Sequence, residues 1–202
     1  MGTVAAAAAP WADAATERVD VVLDLDRVRL TGSVDGVRGD TAVRVLFSRP
    51  SAKHRLQAWV ELLALSASRP DREWRAVVVG RKGQFELGPV TPDFARLVLT
   101  DLVDLQGTGL RTLVPFAPLA AYEYARQDSR DAQKDDRKRL EEQWDRDRDG
   151  LWERVLGVGA DLDTLMAEPA QPGESRQHRE GESRFGSLAR RVFVPLLRVQ
   201  RR

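Results

Sequence analysis

The sequence contains no cysteine in 202 residues. That excludes a disulfide framework, a thiolate zinc site and a thiol nucleophile. No stretch approaches the roughly eighteen apolar residues of a membrane-spanning helix, so no membrane partner is expected. The opening "MGTVAAAAAPWADAA" lacks the basic start and strongly apolar centre of a secretory signal, and a cytoplasmic location follows by default. Charge of either sign is scarcely in excess: 32 Lys+Arg against 31 Asp+Glu leave a formal net charge of +1. A chain that coats DNA by bulk electrostatics is thereby disfavoured, whereas a local basic patch is not. The two histidines, His54 and His178, are far apart, one opening a helix and the other in a polar stretch, so no metal or acid–base pair is expected from them. There is no Gly-x-Ser-x-Gly elbow and no phosphate-binding Gly-rich loop. "GVGADLD" at 157–163 follows no clear strand and reads as a helix stop and turn. Neither a cofactor nor a small-molecule substrate is indicated.

What is present is a chain that is 42% hydrophobic, enough for one good core or a core with a helical appendage. Residues 1–18 have no regular apolar spacing and read as a flexible tail or linker, with order expected from about Val19. "VDVVLDLDRVRLTGSV" alternates on both sides of Asp26-Arg27, which predicts two antiparallel strands and a tight turn. A third strand is expected over Ala42–Ser48, with Val43, Val45 and Phe47 on one face and Arg44, Leu46 and Ser48 on the other. "AKHRLQAWVELLALSA" places Leu56, Trp59, Val60, Leu63 and Ala67 at helical spacing. "WRAVVVG" reads as a buried strand, and "RKGQFELG" as a turn into another. Thr91-Pro92 caps a helix that carries Phe94, Leu97, Val98, Leu102 and Leu105 and ends at "QGTG". Beyond residue 113 strand signals stop, and residues 112–202 are expected to be mainly helical. The run "DSRDAQKDDRKRLEEQWDRDRD" reads as a solvated helix with surface ion pairs, anchored by Leu140 and Trp144. Residues 167–183 read as a mobile loop. In the final helix Phe185, Leu188, Ala189, Val192, Phe193 and Leu196 share a face, and Pro195 should end or bend it. The order predicts an α/β or α+β core with a helical C-terminal region.

Asp35 follows a strand-like run and a glycine, and precedes a turn and a further strand. That is how a Mg²⁺-dependent nuclease begins its active site, but such a site also needs a second carboxylate and a lysine from the adjacent strand. Residues 41–49 contain no Asp, Glu or Lys; Leu46, Phe47 and Ser48 offer two hydrocarbons and one hydroxyl, a poor set for Mg²⁺. Asp40, Asp24 and Asp26 have ordinary turn chemistry as their explanation. No catalytic or metal-ligating residue is therefore assigned. For DNA contact the candidates are Arg49, Lys53, His54 and Arg55 at the start of the "AKHRLQAW" helix, with Arg81 and Lys82 in a hairpin turn.

The run "LTGSVDGVRGDTAVRVLFSRPSAKHRLQAWVELLALSA", followed by "WRAVVVGRKG", "APLAAYEYARQ", "WERVLG" and "FGSLARRVFVPLLR", resembles the C-terminal domain family of RecC, a subunit of the RecBCD helicase-nuclease (exodeoxyribonuclease V). The resemblance runs from about Val19 through nearly the whole chain. It implies a PD-(D/E)xK, restriction-endonuclease-like core: a central mixed β-sheet flanked by helices. It also implies a lost metal site. In RecB-like nucleases the first acid follows Gly-x-x, as in Gly32-Ser33-Val34-Asp35. The Asp-x-Lys triplet falls near Leu46-Phe47-Ser48, and a Gln-x-x-x-Tyr-like helix corresponds to "RLQAW". Of the metal-site residues only Asp35 survives, with Leu46 and Ser48 as vestigial positions. The implied role is a non-catalytic scaffold within a larger subunit, with RecB, RecD and DNA as partners, in double-strand break repair and recombination. The alternatives are an active nuclease with displaced ligands and a free-standing DNA-binding protein.

Overall fold

The computed structural model describes residues 4, 9–11, 14–26, 28–129, 133–174, 179 and 181–201. Arg27, His178, and parts of the 1–18 and 167–183 stretches lie outside the described residues. The chain divides into two compact units, Met1–Asp104 with Arg198–Arg202, and Leu105–Leu197.

The first unit is built on a six-stranded mixed sheet whose spatial order follows the chain. Strands β1 (Glu17–Leu25) and β2 (Val28–Arg38) form the expected hairpin, with Leu25 opposite Val28 and Leu23 opposite Leu30. Asp26 takes the left-handed conformation (φ 45°) that a tight turn demands and that Asp tolerates better than most residues. Val21, Leu23 and Leu25 face the core in strict alternation. In β2 the buried residues are Val34 and Val37, three apart rather than two, because Gly36 (φ 75°) shifts the phase. A side chain could not be added there: a Cβ on Gly36 would lie 2.7 Å from the carbonyl oxygen of Val43.

Strand β3 (Thr41–Val45) pairs antiparallel with β2 and parallel with β4 (Arg75–Gly80). Parallel neighbours need a crossover, and helix α1 (Ala52–Ser68) supplies it. The strand is shorter than expected. Residues 46–48 leave it after one further ladder bond, Leu46 N–H to the Val79 carbonyl (2.8 Å), because Pro50 and the N-cap Ser51 must already be turning into α1. Phe47 is consequently not an inward strand residue beside Val43; it is 88% exposed. The α1 stripe is also rotated from the expected one: Ala58, Trp59, Leu62 and Leu63 are buried whereas Val60 reaches solvent, and from Leu62 to Ala67 every residue is buried. Strand β4 runs through a two-residue turn, Arg81-Lys82, into β5 (Gly83–Leu87). Helix α2 (Pro92–Gly109) ends at the predicted glycines, and Thr91 Oγ1 accepts the Phe94 N–H (3.3 Å). Its buried residues are Ala95, Val98 and Leu99, whereas Leu97 is half exposed. The strand signals do not stop at 113: β6 (Gln200–Arg201) pairs antiparallel with β5, a two-residue strand too short to show periodicity.

In the second unit, helices α3 (Pro118–Asp128), α4 (Asp136–Asp147), α5 (Gly150–Leu156), α6 (Leu162–Met166) and α7 (Arg184–Val199, whose last two residues fall in the first unit) form the helical C-terminal region. The charged α4 is anchored by Leu140 and Trp144 as expected, and also by Asp147, which is buried. One carboxylate oxygen of Asp147 accepts the Leu119 and Ala120 N–H groups (2.6 and 3.0 Å), capping α3, whose N-cap residue is an alanine. The six predicted apolar residues of α7 are all buried, with Phe193 stacked on Phe116 and edge-on to Tyr122. Pro195 does not end α7, which continues to Val199. No helix among the described residues is long and apolar enough to cross a membrane.

Candidate nucleic-acid interface

In open α/β sheets ligands gather at the carboxyl ends of parallel strands, where the chain leaves the sheet and functional loops can converge. Here those ends belong to β3 and β4. The Arg81 N–H donates to the Ser48 carbonyl (3.0 Å), and Gly80 is so close to Pro50 that a Cβ would lie 2.4 Å from its Cδ. The segment 46–50 and the turn 80–82, separated by most of α1 and β4 in sequence, are thus fastened side by side. Lys53, in the first turn of α1, follows directly.

The six candidate cations, four expected at the start of α1 and two in the hairpin turn, fall into two classes. Arg49, Lys53, Arg81 and Lys82 are exposed, and among the described residues none has an ion-pair or side-chain hydrogen-bond partner. The other two are engaged in structure. His54 Nδ1 accepts the Ser51 N–H (3.0 Å) and lies 2.8 Å from the Ser51 Oγ, closing a capping box. The Arg55 guanidinium lies 4.2 Å above the centre of the buried Phe85 ring and donates to Gln200 Oε1 (2.9 Å). It helps join α1, β5 and β6.

Asp35 lies within β2 rather than after it, 75% exposed, with Arg18 Nε at 3.9 Å. Leu46 and Ser48 sit past the end of β3, and Ser48 has its carbonyl engaged by Arg81. The acid that sequence reasoning missed is Glu61 of α1. Arg44 of β3 donates to its Oε1 at 2.5 Å, and Gln57 Nε2 donates to the same oxygen at 3.3 Å. Burial pushes the Glu61 carboxyl above the ordinary value; Arg44 opposes that shift, and the Asp35 charge adds to it. Nothing local in the sequence ties Arg44 to Glu61, since the pair forms only when α1 folds back over the sheet.

The model of the RecC C-terminal domain matches residues 1–129. The chain belongs to the RecC C-terminal domain family. Similar proteins include the "RecBCD enzyme subunit RecC" of Mycolicibacterium smegmatis, 35% identical over 208 residues, and that of Mycobacterium tuberculosis, 35% identical over 210 residues. Each alignment takes in 98% of this chain and 19% of the relative, so the chain spans about a fifth of the length of the curated RecC proteins it matches.

The expected likeness to a nuclease fold raises the question of a divalent ion, and the residues here do not fit one. Mg²⁺ demands converging oxygen ligands free of competing cations. Asp35 has a guanidinium beside it and Glu61 is already held by another, while Leu46 and Ser48 supply hydrocarbon and hydroxyl. Among the described residues no group of three His, Asp or Glu side chains could hold a metal.

Proposed function

We propose that this RecC-family chain is a non-catalytic, nuclease-like scaffold domain of a RecBCD-type helicase-nuclease, holding RecB and RecD subunits in the cytoplasm and meeting DNA at Arg49, Lys53, Arg81 and Lys82 during double-strand break repair and recombination. One observation carries the non-catalytic part: the Arg44 guanidinium is bonded to Glu61, the half-buried acid of α1 whose carboxyl is also raised by the Asp35 charge. A built-in cation neutralises the charge that a metal would otherwise be drawn to, and no lysine of β3 is present to assist an attacking water. The mixed sheet with α1 as its parallel crossover supports the restriction-endonuclease-like description. Fold alone says nothing of activity.

Incubation of the purified chain with linear DNA and Mg²⁺ or Mn²⁺ should give no cleavage, and calorimetric titration with Mn²⁺ should give no micromolar binding. Digestion that disappears in Asp35→Ala would sink the non-catalytic reading. For the scaffold role, the chain should retain RecB or RecD in a pull-down; retention of neither would leave an independent DNA binder as the better description.

A further inference from the structure

We propose that the outer edge of β1 is a docking site for an extended segment of a partner subunit, which adds an antiparallel strand there and sets basic residues opposite Asp20 and Asp24. This deepens the scaffold part of the function proposed above and rests on it, while the DNA-contacting part stands independently.

Strand β1 ends the sheet, with β2 on one side and no strand on the other among the described residues. Its register fixes which backbone groups face outward. Leu25 and Val28 close the hairpin turn as a hydrogen-bonded pair, and the antiparallel alternation then directs the N–H and C=O of Leu25, Leu23 and Val21 towards β2. Those of Asp24, Val22 and Asp20 point away from it.

Two arginines meet them. Arg69, the C-cap of α1, donates through Nη2 to the Asp20 carbonyl at 3.5 Å, and Arg96 of α2 donates through Nη1 to the Asp24 carbonyl at 3.3 Å. Guanidinium groups from two helices thus stand where the amide donors of a neighbouring strand would stand. Both arginines are exposed, and among the described residues neither has a carboxylate partner; Arg96 also reaches the Ala67 carbonyl at 3.4 Å. Bonds of this length are weak, so a strand that brings its own N–H groups displaces them at little cost. The outward N–H groups of Asp20, Val22 and Asp24 have no acceptor among the described residues, which leaves that side of the ladder unmade.

The side chains name the chemistry of the occupant. Val21, Leu23 and Leu25 are buried, so Asp20, Val22 and Asp24 share the opposite face, where the Asp20 side chain is 81% exposed and Val22 is 61% exposed. Asp24 is already bonded to Arg29 at 2.6 Å, whereas Asp20 has Arg18 only at 3.8 Å. An added strand complements that face with a cation, an apolar residue and a cation. On the core face, against which α1 packs, its side chains pass the displaced Arg69 and Arg96, which suits carboxylates. The matching pattern is Lys-Glu-Val-Glu-Lys. A second copy of the chain laid antiparallel, Val22 against Val22, would instead set Asp20 opposite Asp24 twice.

The test is fluorescence anisotropy of the 202-residue chain with a labelled, end-blocked peptide containing Lys-Glu-Val-Glu-Lys. Its isomer Glu-Lys-Val-Lys-Glu, identical in composition and charge, should bind about tenfold more weakly. N-methylation of the lysine and valine amides, which face β1, should abolish binding, and the same change on the glutamate amides, which face away, should be tolerated. Val22→Pro should abolish it too, because proline removes an outward N–H and spares the β1–β2 ladder; if that variant unfolds, the two N-methylated peptides still decide. Asp20→Lys should narrow the gap between the isomers. Absence of binding by the first peptide, or equal affinity within either peptide pair, would overturn the proposal. So would sedimentation of the chain as a dimer that Val22→Pro dissociates, since the occupant would then be a second copy. In pull-downs Val22→Pro should lose a RecB or RecD that the unaltered chain retains. Undiminished retention by the variant removes this inference and leaves the scaffold; retention of neither by the unaltered chain, with peptide binding intact, removes the scaffold reading but not the strand-accepting edge.

Discussion

Arginine does opposite things in two regions of this chain. At the sheet edge Arg49 and Arg81 are exposed, and among the described residues neither has a carboxylate partner. In the helical unit Arg184 is 7% exposed and is gripped by two: Glu174 receives it bidentately (2.6 and 2.7 Å) and Glu168 at 3.1 Å. Nearby, Arg190 pairs with Glu182 and Asp128 (3.2 Å each), and Asp128 also receives Arg179. These pairs tie α7 to the segment before it, where Pro169 also bridges to Ser183. A buried guanidinium is tolerated only when anions replace the lost water. An exposed one with no anion keeps its charge available. The same residue type therefore marks internal fastening in one region and an exposed, uncompensated charge in the other, and partner count, not abundance, distinguishes them.

The sharpest way to break that distinction is to delete one member of each class. Arg184→Ala should destabilise the chain by about 3–5 kcal/mol, because Glu174 would be left nearly buried without a counter-ion. A denaturant midpoint moved by less than about 1 kcal/mol would show that the network fastens nothing. Arg49→Gln and Arg81→Gln, by contrast, should melt as the wild type does. Between these extremes stands Gly80→Ala. Its new Cβ would collide with the Pro50 ring and the Ser48 carbonyl, so a loss of about 1–3 kcal/mol is expected together with weakened DNA binding as the 46–50 segment is displaced. If stability falls and binding does not, the position of the 46–50 segment is irrelevant to the proposed DNA contact. Asp147→Ala should cost somewhat less, about 1–2 kcal/mol, by uncapping α3.

Much of this was legible locally. The hairpin around Asp26 and the apolar face of α7 follow from two-residue and 3.6-residue periodicities, which need only neighbours in sequence. The illegible parts depend on distant segments meeting. Gly36 changes phase because β3 passes close to it, and Phe47 is exposed because β3 ends early to feed α1. Of the six candidate cations, His54 is engaged by Ser51 and Arg55 by Phe85 and Gln200, partners that no local sequence signal announces. Candidates from residues 49–55 and 81–82 could be named from the sequence, but only the parallel pairing of β3 with β4 brings them together. Arg44 and Glu61 gave no sequence signal, being unremarkable charges on a strand and a helix.

That last pair supplies the most delicate test. Glu61 is held above its ordinary carboxyl value of 4.5 by burial, against the pull of Arg44. Between the unfolded value and the raised folded one, the folded chain keeps a proton that the unfolded chain has released. This group's contribution to stability therefore falls as pH rises through that window and is constant above it. Arg44→Gln removes the opposing charge, so the Glu61 titration should move further upward and the window should widen. Carboxyl-selective NMR titration of the two proteins would measure the displacement directly. If Glu61 titrates at the same pH with and without Arg44, the guanidinium is not the counter-charge of this site, and the proposed non-catalytic role would have to rest on the side chains of residues 46–48 alone.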